Sequence, residues 1–289
     1  MAEPEVTRFA PSPTGELHLG HAYAALIAHQ AARSTGGRFL VRMENLDQSR
    51  CDTRFEAAIL EELSWLGLAW NGPVRRQSDC MGAYRTALEA LSARGVVYPC
   101  FCTRGDIARE IEGMAAAPQG PDGPLYPGTC RQLSPPERQV RLAGGMAHAL
   151  RLDVGGAITQ LGVPPMHFEE TGRGPSGETG VVAVQPALLG DIVLGRKDTG
   201  VSYHLAVVVD DADQGVTLVT RGDDLFAATH VQRLLQALLG LPVPRYRHHA
   251  LIRDPQGRRL AKRDRDQTLA ALRASGMGPE DIRRTLGLG

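Results

Sequence analysis

Short apolar runs alternate with helical apolar periods over roughly the first hundred residues. "VTRF" and "FLVRMEN" read as two short strands. Between them, "HAYAALIAHQAARS" predicts an Ala- and Leu-rich helix that stops at Gly36-Gly37. Strand, turn, helix, strand is the opening of a parallel α/β sheet. Phe55, Ile59, Leu63 and Leu66 recur at helical spacing, and so do Tyr84, Leu88 and Leu91. From about Val97 the pattern breaks. Pro, Gly and Cys become frequent, "GMAAAPQGPDGPLYPG" is loop-like, and few long apolar periods occur before about Val184. This region reads as an insertion. The α/β pattern then resumes: "YHLAVVVDD" is expected to be a buried strand ending in acids, "VTLVTRGDD" another strand, and "HVQRLLQALLG" a helix capped by Gly240. "RRLAKRDRD" is a basic loop before a short helical tail. The expected division is a sheet domain in two halves, 1–96 and 185–266, an insertion at 97–184 and a tail at 267–289.

Composition narrows the class. A chain of 289 residues, 43% hydrophobic, can bury a sizeable core. No apolar run reaches the length of a membrane span, and "MAEPEVTRFAP" lacks the basic start and apolar stretch of a secretory leader. A cytoplasmic protein without a membrane partner is the expectation, and a monomer. Five cysteines, an odd number, argue against a disulfide framework. The net charge is zero, which speaks against indiscriminate coating of nucleic acid while leaving room for a local basic face. Lys197 and Lys262 are the only lysines, so arginine carries almost all the positive charge.

Candidate chemistry concentrates at "RFAPSPTGELHLGHAYAALIAHQAA". A glycine-bearing turn between a strand and a helix sets backbone N–H groups and the positive helix end where an anion can sit. Gly15 and Gly20 allow a phosphate or a flat base to approach the backbone. His18 and His21, three apart at a helix start, share a face and suit stabilisation of charge at a phosphoryl centre.

The longer string "RFAPSPTGELHLGH" resembles the first signature of the class I aminoacyl-tRNA synthetases in the form of the glutamyl and glutaminyl branch. "RMENLD", "YHLAVVVDD", "VTRGDDL" and "HHALI" follow in that family's order, and "RRLAKR" resembles its second signature. The resemblance implies a Rossmann-like catalytic domain and adenylation of an amino acid, with His18, Gly20 and His21 holding ATP and Lys262 neutralising the departing pyrophosphate. Mg²⁺ would accompany the ATP. Arg259, Leu260, Ala261 and Arg263 complete the second-signature loop, which departs from the family pattern at Arg259 (usually lysine) and Ala261 (usually serine). Choosing lysine at 262 among Arg258, Arg259, Arg263 and Arg265 itself suggests a need for a compact ammonium.

For the amino acid, Glu44 suits an ammonium, and the planar forks of Arg8 and Arg221 suit two carboxylates. Tyr203 adds a hydroxyl and Ser12 a small polar contact. These positions, with Phe9, Ala10 and Pro11, match the branch's glutamate site by resemblance, and which arginine takes which carboxylate is left open. A structural ion pair between Arg8 and Glu44 is the plainer alternative.

"PCFC" and "YPGTC" bring Cys100, Cys102 and Cys130 into one loop-rich segment, a pattern for structural zinc. A fourth ligand is needed. His148 or His167 would be ordinary choices; the resemblance favours Tyr126, because the short form of the family has Cys-x-Cys followed by Tyr-x-x-x-Cys. Cys51 and Cys80 stand alone.

Past the second signature the chain holds only "QTLAALRASGMGPEDIRRTLGLG", too little for a separate anticodon-binding domain. This layout resembles the glutamyl-queuosine tRNA(Asp) synthetase family. It implies a ligase that activates L-glutamate without tRNA and transfers it to the queuosine base of tRNA(Asp), with residues 97–184 handling the acceptor. The alternatives are a conventional glutamyl-tRNA synthetase charging the 3′ end of tRNA(Glu), a non-catalytic tRNA-binding paralogue, and a related adenylylating enzyme that makes a small metabolite.

Overall fold

A computed structural model describes residues 3–114, 117–121, 123–162, 165–252 and 268–288. The first third alternates β1 (Val6–Phe9), α1 (Leu19–Ser34), β2 (Arg38–Met43), α2 (Thr53–Trp65), β3 (Arg75–Arg76) and α3 (Met81–Ala93). The three strands pair in parallel in the order β1-β2-β3. Helix α1 can lie close over them because the residues it buries are small: Ala22, Ala25, Ala28, Ala31 and Ala32, with Leu26. The Thr7 hydroxyl ties β1 to the Ala28 carbonyl at 2.8 Å.

The middle third contains β4 (Val97–Cys100), α4 (Arg104–Glu112), a small hairpin of β5 (Gln119–Gly120) and β6 (Gly123–Pro124), and α5 (Pro135–Ala143). It continues through β7 (Ala149–Leu152), α6 (Val154–Leu161), β8 (His167–Glu170) and β9 (Gly180–Ala183). Then follow β10 (Val193–Gly195), α7 (Tyr203–Asp213), β11 (Leu218–Gly222), α8 (Phe226–Leu239), β12 (Arg245–His249), α9 (Leu269–Ala274) and α10 (Pro279–Thr285). Strands β4, β7 and β10 form an antiparallel sheet. Strands β11, β12 and β8 run parallel, with β9 antiparallel at the edge. Residues 97–184 therefore supply β4 and β7 to a sheet completed by β10, and β8 and β9 to the sheet of β11 and β12.

The two parallel sheets meet at β1 and the start of β11. Thr217 N donates to Val6 O at 2.9 Å, and Val6 N donates to the Thr217 hydroxyl at 2.8 Å. The strands after β1 spread to one side and the later ones to the other. That reversal leaves a crevice at the carboxyl ends of the strands, the usual ligand position in open α/β sheets.

"YHLAVVVDD" is a helix, α7, and not the strand its apolar run suggested. Leu205, Ala206, Val207 and Val208 are all buried in the core that α7 shares with Tyr84, Leu91, Leu234 and Leu235. A helix buried on every side shows no amphipathic period, so its sequence matches that of a buried strand. The other predicted elements are present: β1, α1, β2, α2, α3 and β11 lie where the pattern set them, and α8 ends at Gly240 in the left-handed conformation (φ 64°). The terminal helices pack into the first core, where Leu269 and Ile282 join Phe39, Val41 and Leu63. Among the described residues, no helix is long and apolar enough to cross a membrane.

Candidate functional site

Arg8 and Arg221 stand near the carboxyl ends of β1 and β11, the two strands at the crevice. Arg8 Nη1 donates to the Thr220 carbonyl at 3.1 Å, which ties one arginine to the other's strand. Phe9, Ala10, Pro11 and Ser12 lead out of β1. The Pro11 carbonyl accepts the Glu44 amide at 3.0 Å, so Glu44, just past β2, is held against this run. Tyr203 opens α7. Burial raises the pKa of its hydroxyl, and Arg221, Glu44, Arg8 and Asp211 all act on it electrostatically. One small region thus gathers the two arginines, the carboxylate and the phenol singled out from sequence.

Arg8 and Glu44 are not each other's partners. Arg8 Nε donates to Asp211 Oδ1 at 3.0 Å, and Glu44 Oε1 lies 3.4 Å from Arg42 Nη2. Arg42 is fully buried and also reaches Asp211 at 2.8 Å and Gln214 at 3.0 Å. Asp210 takes bonds from Arg75 (2.7 Å), Gln77 (2.8 Å) and Tyr84 (2.8 Å). The acids at the end of α7 are therefore buried anchors beneath the crevice. Burial alone would raise the pKa of Asp211, but Arg8 and Arg42 outweigh it and hold the carboxyl below its usual range. Burial pushes Glu44 up, partly countered by Arg42 and Arg8. Sequence reading missed Arg42, Asp210 and Asp211; their signal was the charged residues inside otherwise apolar runs.

His18 caps α1. Its Nδ1 accepts the Gly20 amide at 3.1 Å, and the His18 amide donates to His21 Nδ1 at 3.2 Å. The rings lie 3.9 Å apart, so both imidazoles occupy the positive end of one helix. A Cβ on Gly20 would stand 3.0 Å from the His18 ring, tight enough to disturb this pair. Arg258, Arg259, Leu260, Ala261, Lys262, Arg263 and Arg265 lie outside the described residues. On their far side the chain returns to the imidazole pair, with Thr268 bridging His18 and Leu269 N donating to Leu17 O at 2.8 Å.

Cys100, Cys102 and Cys130 converge, with all three sulfurs within 4.8 Å of one another. The Tyr126 hydroxyl lies 3.4 Å from Cys100 Sγ and 3.7 Å from Cys102 Sγ, and it accepts the Cys130 amide at 2.8 Å. The Arg151 guanidinium sits over the Tyr126 ring at 3.9 Å, and Lys197 Nζ reaches the carbonyls of Phe101 (3.3 Å) and Cys102 (3.4 Å). His148 instead bonds the Met146 carbonyl, and His167 sits on β8. Three thiols in one place are compatible with a structural zinc site, for which a phenol would be an unusual fourth donor. A cavity of about 870 Å³ runs from this cluster to Tyr203, with Arg104, Arg196 and Lys197 in its walls.

The chain is similar to several known proteins. Residues 5–288 match the model for the catalytic domain of class I tRNA synthetases (E and Q). A protein of Rhodobacter capsulatus named Glutamyl-Q tRNA(Asp) synthetase is 53% identical, over 98% of this chain and 100% of its own. A protein of the same name from Symbiobacterium thermophilum is 42% identical over 95% of this chain and 83% of its own. The crystal structure of a glutamate tRNA ligase from Elizabethkingia meningosepticum, in complex with its amino acid, superimposes with a TM-score of 0.73 at 28% identity. That match covers 91% of this chain, which spans about half (53%) of the ligase.

Proposed function

The chain belongs to the family of class I tRNA synthetase catalytic domains of the glutamate and glutamine type, and on that premise we propose that it joins L-glutamate, by way of ATP, to the queuosine base of tRNA(Asp). The observation that carries this reading is the 53% identity to the whole of a protein named Glutamyl-Q tRNA(Asp) synthetase. The gathering of Arg8, Glu44, Tyr203 and Arg221 supports a small diacid bearing an ammonium as the amino acid.

In the first step a glutamate carboxylate oxygen attacks the α-phosphorus of ATP. The bond from that phosphorus to the bridging oxygen breaks, pyrophosphate leaves with the electron pair, and glutamyl-adenylate remains. The protein supplies position and charge rather than a covalent nucleophile. Glu44 faces the ammonium, Arg8 and Arg221 the two carboxylates, and Tyr203 and Ser12 add hydroxyls, while Phe9, Ala10 and Pro11 wall the pocket. His18, Gly20 and His21 hold adenosine and phosphates, and Mg²⁺ travels with ATP. Lys262, with Arg259, Leu260, Ala261 and Arg263, meets the departing pyrophosphate. In the second step a hydroxyl of the cyclopentene-diol attacks the acyl carbon, loses its proton, and expels AMP to leave an ester. Residues 97–184 receive the nucleic-acid end. The cavity beside Tyr203 is in the size range of sites that enclose one small molecule, such as a modified base.

Labelled glutamate offered with tRNA(Asp), with and without queuosine, is expected to appear only on the modified tRNA and to be released by mild base. Equal labelling of both would overturn the queuosine assignment, and stable charging of unmodified tRNA(Glu) would replace this reading with that of a conventional synthetase.

The thiol cluster adds a structural zinc, held by Cys100, Cys102, Tyr126 and Cys130, that fixes the fold of residues 97–184. Protein purified without added metal is expected to carry about one zinc per chain, falling to background in Cys130→Ser. Fully active protein free of zinc would remove the site.

A further inference from the structure

Arg221 is held by more than its strand. Its Nε donates to His248 Nε2 at 3.1 Å, Nη1 to Gln232 Oε1 at 2.9 Å, and Nη2 to the Thr229 hydroxyl at 2.6 Å. Its guanidinium carbon lies 5.4 Å from the centre of the Tyr246 ring. A guanidinium has five N–H donors. Three are engaged here, which leaves two for a ligand. Behind it, His248 Nδ1 meets Glu170 Oε2 at 2.5 Å. The other oxygen, Glu170 Oε1, accepts the amides of His248 (2.9 Å) and Gly172 (2.8 Å). The side chains of His248 and Glu170 are both completely inaccessible to solvent. A Cβ on Gly172 would come within 2.3 Å of the His248 carbonyl, so this close fit requires glycine.

These neighbours decide the state of the imidazole. Arginine can only donate, so Nε2 must accept. The proton then sits on Nδ1 and is donated to the Glu170 carboxylate. His248 is neutral, with its tautomer fixed from both sides. A carboxylate, an imidazole and a guanidinium thus form a buried chain that runs from β8 through β12 to the crevice end of β11.

We propose that Glu170 and His248 are positioning residues for the amino-acid substrate: they lock the plane of Arg221 so that its two remaining donors face a substrate carboxylate. This inference rests on the assignment of Arg221 to the glutamate site. A buried guanidinium able to rotate would lose the alignment that a two-point contact needs. Holding it by a neutral imidazole, with the counter-charge one ring further away, keeps the positive charge available to a diacid. Glu170 belongs to residues 97–184, so the segment that receives the nucleic acid also braces the pocket that receives the amino acid.

The test is ATP–pyrophosphate exchange with glutamate and ATP varied separately. His248→Asn keeps an atom near Nδ1 but offers nothing at the Nε2 position; the longer His248→Gln can supply an acceptor there. The Asn variant is expected to raise the glutamate KM about tenfold or more, the scale for removing one hydrogen bond to a charged group, while the ATP KM moves far less. The Gln variant is expected to recover part of that loss. Thr229→Val, nearly isosteric, withdraws a different acceptor from Arg221 without opening a cavity and is expected to act in the same direction. If Arg221→Ala raises the glutamate KM and neither His248→Asn nor Thr229→Val does, the positioning role is wrong and the glutamate site stands. If Arg221→Ala leaves the glutamate KM unchanged, the site assignment itself fails. Equal rises in both KM values, in step with a lowered Tm, would reduce His248 to a structural residue and overturn the proposal.

Discussion

Glutamate-dependent ATP–pyrophosphate exchange is expected to fall about a hundredfold or more when Glu44 is replaced by alanine, because removing one partner of a buried charge pair costs about 2–5 kcal/mol. Glu44 is held by its amide to the Pro11 carbonyl and lies beside Arg42, so its carboxylate is fixed before substrate arrives. Asp211 is bonded to Arg8 at 3.0 Å and to Arg42 at 2.8 Å, closer than Glu44 lies to Arg42, so Glu44 is the better placed of the two to take an arriving ammonium. The pH profile adds a second check. Burial raises the pKa of Glu44 above the ordinary glutamate range. Protonation makes it neutral, so glutamate kcat/KM, which reports groups of the free enzyme, should begin to fall at a higher pH than an unperturbed carboxylate would cause. Glu44→Gln should be weak at every pH and lose that limb. Full exchange activity in Glu44→Ala would show that the ammonium is held elsewhere.

Asp211→Ala is expected to cost about 3–5 kcal/mol of folding stability, read from urea denaturation. Asp211 Oδ1 is shared by Arg8 at 3.0 Å and Arg42 at 2.8 Å, and removing it leaves buried Arg42 only the longer ion-pair distances to Glu44 (3.4 Å) and Asp210 (3.6 Å) and takes the carboxylate from buried Arg8. The effect depends on pH in a defined direction. The folded-state pKa of Asp211 is depressed, so its contribution is complete above the unfolded-state value and is lost as pH falls through the lower folded value. The difference between wild type and variant should therefore shrink only in strong acid. A cost below about 1 kcal/mol at neutral pH, the scale of an exposed ion pair, would mean that water reaches these arginines after all.

Much of this architecture could be read from the chain because local physics and global fold agree there. The Ala-rich period of α1 is helical on any scale, and its buried face is made of the residues that let a helix approach a sheet. β1 and β2 are short runs buried along nearly their whole length, and Gly240 marks the end of α8. The failure at α7 has a physical cause: Val207, Val208 and Val209 favour strands locally, but packing between α3 and α8 overrides that preference. Its two acids looked like the end of a strand reaching a site. They are instead the underside of the site, holding Arg8 and Arg42 in place. The candidate site divides the same way. Residues proposed to touch a ligand carry a chemical signature in sequence, and Arg8, Glu44, Tyr203, His18 and the thiols were singled out by it and by the family resemblance. Residues that hold those residues carry at most a charge inside an apolar run, as Arg42, Asp210 and Asp211 do. Glu170 and His248 are 78 positions apart, and only the pairing of β8 with β12 brings them together.

The seam between Val6 and Thr217 joins positions 211 residues apart. β1 is synthesised well before β11, its neighbour on this side. Until β11 is made, β1 and β2 present an open edge with nothing to pair against. Contacts of such long sequence separation slow folding, and unpaired strand edges invite association with other chains. The junction between the two parallel sheets thus forms only after this long stretch of intervening chain has been made.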